Sequence, residues 1–286
     1  MTPFVLGDRD VTFSVDAADI DLSQVSVVMP AMNEARNLPH VFARMPAGLG
    51  EVILVDGRSE DDTVSVARHL RPDIRVVGQT RRGKGNALAC GFAAATGDII
   101  VMIDADGSTD PAEIPSFVAA IHAGADFAKG SRFAEGGGSA DITRFRRLGN
   151  RGLNRLVNVI YRTKFTDLCY GYNAFRRHCL STIAIYPGLE SIERYHGDGF
   201  EVETLINIRI AKASHHMVEV PSFEQHRLHG VSNLRAFSDG LHVLRTIMIE
   251  RRTRSGPPAA NHPMIDLTAA PKRRSGSDVG RNVPVP

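Results

Sequence analysis

The chain has 286 residues, of which 43% are hydrophobic and 23% are charged. This is the composition of an ordinary soluble globular protein. Its three cysteines form no CxxC pair, which excludes a disulfide framework and a zinc ribbon and makes the cytoplasm the expected location. No stretch approaches the ~18 consecutive apolar residues of a membrane span. Residues 1–13 also lack the basic start of a signal peptide.

The cations are concentrated at the end of the chain. The formal net charge is +2, yet residues 251–286 contain seven Lys or Arg and two Asp, so the remainder is net acidic. A protein that binds nucleic acid carries its positive charge and its aromatic side chains on the folded domain. We therefore do not expect nucleic acid as a partner.

From residue 25 onward, apolar strands alternate with helices, which predicts an α/β domain with a mostly parallel sheet flanked by helices. Strands are predicted at residues 25–29, 51–55, 74–77, 99–103, 127–132 and 217–220. Helices are predicted at residues 33–44, from 63 onward, and at 86–95, 111–123, 145–162, 200–211 and 238–252. We divide the chain into an N-terminal arm (1–22), one domain (23–235), an amphipathic helix (236–254) and a disordered basic tail (255–286).

The strongest local signal is the apolar strand at 99–103, which runs into two carboxylates, Asp104 and Asp106. Side chains alternate along a strand, so both can point the same way at the carboxyl edge of the sheet, where such folds bind ligands. Hard carboxylate oxygens suit Mg²⁺ or Mn²⁺, and such an ion commonly bridges to substrate phosphates. The alternative is that Asp104 caps a turn and that Asp106 with Gly107 is a simple turn signal.

A glycine-rich loop, residues 78–85, follows one predicted strand and precedes a helix, as a P-loop does. A P-loop needs Ser or Thr at the position of Gly85 to bind Mg²⁺, so we do not expect a nucleotide hydrolase. The backbone N–H groups and Lys84 still suit a diphosphate. A plain loop with a solvated lysine is the alternative.

Six motifs in chain order resemble those of family 2 glycosyltransferases, which have the GT-A fold, and especially the dolichol- and polyprenyl-phosphate sugar synthases. The resemblance covers about residues 25–250. The motifs are 30–34 (similar to P-x-x-N-E), 55–63 (V-D-D-G-S-x-D-x-T), 104–106 (D-x-D), 129–132 (G-S-R), 166–177 (D-x-x-S-G-F-R-A-x-R-R) and 227–234 (R-x-x-G-x-S-K-L). The chain departs from them at Gly57, Arg58, Ser108, Tyr170, Asn173 and Asn233.

The resemblance implies a metal-dependent, inverting transfer of a sugar from a GDP- or UDP-sugar to an acceptor. A polyprenyl or dolichyl phosphate is the first expectation, a soluble small molecule the alternative, and a nucleotide-sugar-binding module the non-enzymatic alternative. The metal ligands would be Asp104 and Asp106. The donor would contact Pro30, Asn33, Glu34, Asp56, Lys84, Asp104, Arg132 and Arg227.

The residues expected in catalysis are Asp106, Asp167 and Asp198, with Asp198 as a base on the acceptor side. An attacking hydroxyl needs a base, whereas an ionised phosphate does not. The alternative for Asp198 is a helix N-cap ahead of Phe200. For Arg132 and Arg227 the alternative is a surface ion pair.

The predicted helix at 238–252 places Leu241, Leu244, Ile247 and Met248 on one face and leads into Arg251, Arg252 and Arg254. Apolar residues beside clustered cations are typical of a helix that lies on an anionic bilayer, here the inner face of the membrane. The alternative is a helix packed on the domain. The eleven histidines show no metal-binding spacing, and His215 and His216 are predicted to lie at the surface.

Overall fold

A computed structural model describes residues 20–188, 195–230 and 236–253. The predicted arm up to residue 19, the Ser232-Asn233 pair of the last motif, Arg254 and the basic tail lie outside the described residues. No helix in the described part of the chain is long and apolar enough to cross a membrane.

Nine strands form two sheets within the described ranges. They are β1 (Val25–Ala31), β2 (Glu51–Asp56), β3 (Arg75–Gly78), β4 (Ile99–Met102), β5 (Phe127–Ser131), β6 (Gly138–Ser139), β7 (Asn173–Arg176), β8 (Met217–Pro221) and β9 (Phe223–Glu224). The larger sheet has the order β3-β2-β1-β4-β7-β5-β8, and β6 pairs with β9. All neighbours in the larger sheet are parallel except β7, which is antiparallel to β4 and β5. The predicted α/β class is confirmed.

Helices cover both faces of the larger sheet. They are α1 (Leu38–Ala43), α2 (Thr63–Leu70), α3 (Lys84–Ala94), α4 (Ile114–His122), α5 (Arg144–Tyr161), α6 (Leu180–Ile183), α7 (Val202–Lys212) and α8 (Ala236–Arg252). Helices α1, α2 and α4 pack on one face and α3, α6 and α7 on the other. Helices α5 and α8 form a third apolar cluster against α7.

Burial on both faces explains the continuous apolar strands. In β1, Val27 and Met29 pack towards α1 and α4, whereas Val28 between them packs towards α3. All three side chains are fully buried. A strand covered on both sides gains from apolar residues at every position, so it shows no polar alternation.

One local prediction is wrong, and one strand of the larger sheet was not predicted. Helix α1 begins at Leu38, not at Asn33, which has φ 61°. The Asn33 backbone N–H donates to Ser59 Oγ, and its side-chain oxygen accepts from the Glu60 N–H, so Asn33 joins two loops instead of capping a helix. Strand β7 was not predicted, because its four residues lack a long apolar run.

Candidate active site

Three strands end side by side at the carboxyl edge of the sheet. Ala31 at the end of β1 pairs with Asp56 at the end of β2, and β4 runs parallel to β1 on its other side. Parallel pairing therefore brings Asp56, Glu34 and the segment with Asp104 and Asp106 to one edge. This is the edge at which open α/β sheets bind ligands.

Asp106 is held on both of its oxygens. Oδ1 accepts hydrogen bonds from the Ser108 backbone N–H at 2.9 Å and from its hydroxyl at 2.6 Å. Oδ2 lies 3.1 Å from the Arg227 guanidinium, which is also 3.0 Å from Glu34 Oε1. Burial raises the pKa of Glu34, and its hydrogen bond with Asn37 and the charge of Arg227 offset this rise only in part. The structure thus brings together Glu34, Asp106 and Arg227, which lie far apart in sequence.

Asp104 faces a different cation. Lys84 Nζ lies 2.6 Å from Asp104 Oδ1 and 2.8 Å from Glu203 Oε1 on α7. Burial alone would lower the pKa of Lys84, but the two carboxylates raise it. Burial also raises the pKa of Glu203, against the opposing effect of Lys84. Each carboxylate of the D-x-D motif therefore has its own cationic neighbour.

The glycine-rich loop has a packing role. A Cβ on Gly83, where φ is +127°, would lie 2.0 Å from the Asp198 carbonyl oxygen, and one on Gly85 would lie 1.7 Å from the Gly197 carbonyl oxygen. The Gly85 N–H donates to the Asp198 carbonyl at 2.8 Å. Glycine is needed here because another loop approaches closely. This explains Gly85 better than a phosphate cradle does, and it leaves Lys84 as the group of this loop that faces the D-x-D motif.

Asp56, Pro30 and Asn33 lie at the β1–β2 side of the edge. The Asp56 carboxylate accepts from the Ser59 backbone N–H at 3.2 Å, which shapes the loop after β2. Pro30 pairs with Val55 inside the sheet, one residue before the strand ends. These positions therefore lie at the same edge of the sheet as Asp106.

Arg132 differs from its predicted position. Its Nε and one terminal nitrogen donate to Asp167 at 2.7 and 2.9 Å, and its other terminal nitrogen donates to Glu224 at 3.0 Å. The guanidinium also lies over the Tyr170 ring, 4.9 Å from its centroid. Burial alone would raise the pKa of Asp167, but the hydrogen bonds and charge of Arg132 hold it below its ordinary value. The prediction that Arg132 faces a diphosphate and Asp167 acts in catalysis finds no support in this geometry, because both side chains are buried and paired.

Asp198 is paired in the same way. Both of its oxygens accept from Arg81 at 2.8 Å, and Oδ2 also accepts from the Tyr195 N–H at 2.7 Å. The side chain is only 6% exposed. It caps no helix either, because α7 begins at Val202. The predicted base is therefore a buried ion-pair partner, and Arg81, which the sequence reasoning passed over, is the residue that holds it.

Other side chains of the site were also missed. Glu203 lies inside α7 and Glu224 at the end of β9. No local sequence pattern distinguishes either residue from an ordinary surface glutamate. Each becomes recognisable only beside its cation, Lys84 or Arg132.

The fold and this edge define the class, a GT-A nucleotide-diphospho-sugar transferase fold. The chain is similar to glucosyl-3-phosphoglycerate synthase from Mycobacterium tuberculosis, with a TM-score of 0.64, 21% identity, and coverage of 84% of this chain and 85% of that one. At this identity the likeness shows the fold alone.

The family model for "Glycosyl transferase family 2" matches residues 26–183, and the chain belongs to this family. It is 44% identical over 108 residues to an uncharacterised glycosyltransferase of Mycobacterium tuberculosis (strain H37Rv), covering 38% of this chain and 48% of the relative. It is 31% identical to the dolichol-phosphate mannosyltransferase of Pyrococcus furiosus over 222 residues, covering 74% of this chain and 59% of the relative. The chain therefore spans about half the length of the curated relatives it matches, 48% and 59%.

Proposed function

We propose that this chain transfers a sugar, with inversion, from a GDP- or UDP-sugar to an ionised phosphate acceptor, for which a polyprenyl phosphate is the best candidate. The observation that carries the proposal is the carboxylate pair Asp104 and Asp106, at the carboxyl edge of a sheet in a family 2 chain. The dolichol-phosphate mannosyltransferase relative supports the choice of acceptor.

The residues at this edge fit a divalent metal. Asp104 and Asp106 are 29% and 18% exposed and offer hard oxygens, with the Ser108 hydroxyl 2.6 Å from Asp106. This donor set suits Mg²⁺ or Mn²⁺, which usually takes one or two carboxylates and completes its shell with phosphates and water. Glucosyl-3-phosphoglycerate synthase has been solved with Mn²⁺ or Mg²⁺ and uridine diphosphate. When bound, such an ion neutralises the negative charge that develops on the leaving diphosphate.

Two cations of the protein, Lys84 and Arg227, can also bind the diphosphate at this edge. Lys84 and Arg227 lie within 2.6 and 3.1 Å of the two aspartates. When a metal binds these aspartates, both cations can turn to the diphosphate oxygens, with Arg227 able to bind two at once. Pro30, Asn33, Glu34 and Asp56 frame the neighbouring edge, where we place the nucleoside.

The state of three acids supports a phosphate acceptor. Asp167 and Asp198 are buried and paired with arginines. Glu201, three residues after Asp198, accepts from the Gly197 and Gly199 N–H groups. A hydroxyl acceptor needs a general base to take its proton, whereas a phosphate monoester is already ionised near neutral pH. The engagement of all three acids supports an acceptor that needs no base.

A matched acceptor pair tests this proposal. Purified chain with Mn²⁺ and radiolabelled UDP- or GDP-sugars is offered a short polyprenyl phosphate or the polyprenol of the same length. We expect transfer to the phosphate and none to the alcohol. Phosphoglyceric acid and small hydroxyl compounds serve as soluble acceptors, and faster transfer to one of these would overturn the lipid acceptor. Tight nucleotide binding without transfer to any acceptor would favour a binding module.

We also propose that the outer surface of α5 and α8 lies on an anionic bilayer. Phe145, Leu148 and Val159 on α5 are 70%, 69% and 74% exposed, and Leu241 on α8 is 53% exposed. Helix α5 contains five arginines and no acidic residue. Exposed apolar side chains among cations match the pattern of a helix in a membrane surface.

The structure changes the predicted apolar face of α8. Ile247 is fully buried, and its carbonyl accepts from the Tyr161 hydroxyl of α5 at 2.7 Å. Leu241, Leu244 and Met248 remain exposed, by 53%, 39% and 41%. Helix α8 therefore packs on the domain through one side and keeps three apolar residues of the predicted face exposed.

Vesicle co-sedimentation tests the surface. We expect binding to vesicles with phosphatidylserine but not to phosphatidylcholine alone, weakened by salt because each cation near an anionic surface contributes ~1 kcal/mol. Leu148→Ser and Arg151→Gln should weaken binding, whereas Phe223→Ser, a control at a 42% exposed residue on β9, should not. Absence of binding at low salt would argue against the surface and favour a soluble acceptor.

A further inference from the structure

A second group of ligand-type side chains lies at the amino edge of the sheet, opposite to the D-x-D motif. His178 and Cys179 belong to a short 3-10 turn after β7, and His215 precedes β8. Their ligand atoms, one from each residue, all lie within 4.8 Å of one another. It is the single cluster of this kind in the described ranges of the chain.

The topology explains why these residues meet. Strand β7 is antiparallel to β5, so its last residues lie at the edge where β5 and β8 begin. Asp126 precedes β5 at that same edge. No spacing in the sequence links His178 with His215, which is why the histidines showed no metal signature and His215 was predicted to be a surface residue.

Asp126 joins the cluster from the other side. Its Oδ1 lies 3.3 Å from His178 Nε2, and its Oδ2 lies 3.7 Å from His215 Nδ1. Oδ2 also accepts from the His216 backbone N–H at 2.9 Å, which fixes the carboxylate. The Cys179 thiol is buried and donates to the Asp126 carbonyl at 3.5 Å. A carboxylate that faces both imidazoles is the usual companion of histidine ligands, because it orients the rings.

We propose that His178, Cys179 and His215 bind a zinc-type divalent ion, with Asp126 as the carboxylate that orients the histidines. His215 Nε2, which now lies 2.8 Å from the Thr182 hydroxyl, would exchange this contact for the ion. One thiolate and two imidazoles are the borderline-soft donors that Zn²⁺ and Co²⁺ prefer. Ligands at ~2.1 Å from a tetrahedral ion stand roughly 3.4 Å apart. The His178 side chain, which is 53% exposed, has the freedom to close this distance.

The chemistry of this site differs from that at the carboxyl edge. Binding forms a metal–sulfur bond and releases the Cys179 thiol proton to solvent, with no change in oxidation state. The ion would join the end of β7 to the start of β8, and Asp126, which faces both histidines, would connect the start of β5 to this site. Because the complete set of ligands exists only in the folded chain, binding stabilises the fold. The site does not depend on the proposed function.

Cobalt titration of the metal-free chain tests the site. Co²⁺ bound to a thiolate gives a near-ultraviolet charge-transfer band, which oxygen ligands such as Asp104 and Asp106 do not give. We expect a 1:1 band that Zn²⁺ displaces, together with a higher Tm when Zn²⁺ is present. The band should disappear in Cys179→Ala and persist in Cys169→Ala, the matched thiol control.

Two further variants keep the site testable if Cys179→Ala fails to fold. His178 is half-exposed, so His178→Gln should fold normally and lose at least tenfold in Zn²⁺ affinity. Asp126→Asn should lose about tenfold, the usual effect of an outer-shell change. His216→Gln is the neighbouring control, because the ring hydrogen-bonds to the Gly124 carbonyl instead.

The outcomes separate this site from the donor site. Asp106→Asn should keep the cobalt–thiolate band while losing transfer activity. Absence of the band, or a band that survives in Cys179→Ala, would overturn the proposal. Equal zinc affinity in wild type and His178→Gln would do the same.

Discussion

Two arginines of this protein each lie between two carboxylates, yet their surroundings differ. Arg132 is 5% exposed and makes a two-pronged contact with Asp167 and a second contact with Glu224. Arg227 is 20% exposed and reaches Glu34 and Asp106 through a single nitrogen. The residue types are the same, so composition does not tell the two groups apart.

Burial and the number of hydrogen bonds decide what each arginine can do. A buried pair whose partner is removed leaves an uncompensated charge, which costs about 3–5 kcal/mol. Arg227 is partly exposed, and its buried partner Glu34 also accepts a hydrogen bond from Asn37 Nδ2, so the loss of Arg227 should cost less than the loss of Arg132. Arg132 therefore stabilises the fold, whereas Arg227 can leave Asp106 when a ligand binds. The following experiments sharpen or break this distinction.

The largest expected effect is at Asp106. Asp106→Asn should lower transfer at least a thousandfold, about 4 kcal/mol of transition-state stabilisation, because a metal ligand is lost. The free energy of unfolding should change little, since Asp106 lies at the solvent edge. Steady-state kinetics with urea unfolding of the same preparation measure both. If Asp106→Asn transfers sugar at the wild-type rate and continues to do so in EDTA, Asp106 is not a metal ligand.

Arg132→Met should destabilise the fold by about 3 kcal/mol, because Asp167 and Glu224 stay buried without a cation. Arg132→Lys should recover only part of the stability, since lysine cannot reproduce the two-pronged contact. Urea unfolding measures both variants. If Arg132→Met keeps full stability but loses nucleotide affinity, Arg132 faces the diphosphate as the sequence predicted.

Arg227→Gln should lower activity more than stability, the opposite of Arg132→Met. We expect at least a tenfold loss in kcat/KM, about 1.4 kcal/mol, and a smaller loss of stability than in Arg132→Met. Calorimetry with the nucleoside diphosphate should show weaker binding in the variant. Unchanged affinity would leave Arg227 as the surface ion pair that was the alternative.

The smallest expected effect is a difference between Asp167 and Glu34 in how each makes the free energy of unfolding depend on pH. Arg132 holds the pKa of Asp167 below its ordinary value of 3.8, so the unfolded state takes up its proton first as the pH falls. This stabilisation is present above pH 3.8 and is lost below it. Burial raises the pKa of Glu34 above 4.5, so its contribution has the opposite sign and is lost as the pH rises through the folded pKa.

Urea unfolding between pH 2.5 and 7 checks these signs. The difference in free energy of unfolding between wild type and Asp167→Asn should narrow towards low pH. The corresponding difference for Glu34→Gln should move in favour of the variant as the pH rises. Parallel curves for all three proteins would mean that the two groups do not differ in this way.

The sequence predicted the parts that depend on local patterns. Strands such as β1 are apolar at every position because both faces are buried, and Asp104 and Asp106 follow directly from such a strand. The order of the motifs was enough to identify the family, which the match over residues 26–183 confirms.

The predictions that did not match the structure concern residues whose partners are distant in sequence. Asp198 looked like a free acid because Arg81, its partner, lies 117 residues away. Asn33 looked like a helix cap, since the Ser59 and Glu60 contacts that hold it come from the next loop. The cluster of His178, Cys179 and His215 needs an antiparallel strand that no periodicity revealed. Pairings of this kind are set by the three-dimensional fold and not by spacing.

Strand β7 also has a consequence for how the chain is made. On one side β4 pairs with β1. On its other side it pairs with β7, which is made later, and there Ile99 pairs with Arg176 and Met102 with Asn173. At ~5–20 residues per second, a ribosome needs roughly 4–15 s to synthesise the intervening segment. During that time the nascent half-sheet has an open, wholly apolar edge, which is a template for pairing with other chains. Newly made protein is therefore most vulnerable to aggregation before residue 173 emerges, and fragments that end earlier should precipitate unless a chaperone shields β4.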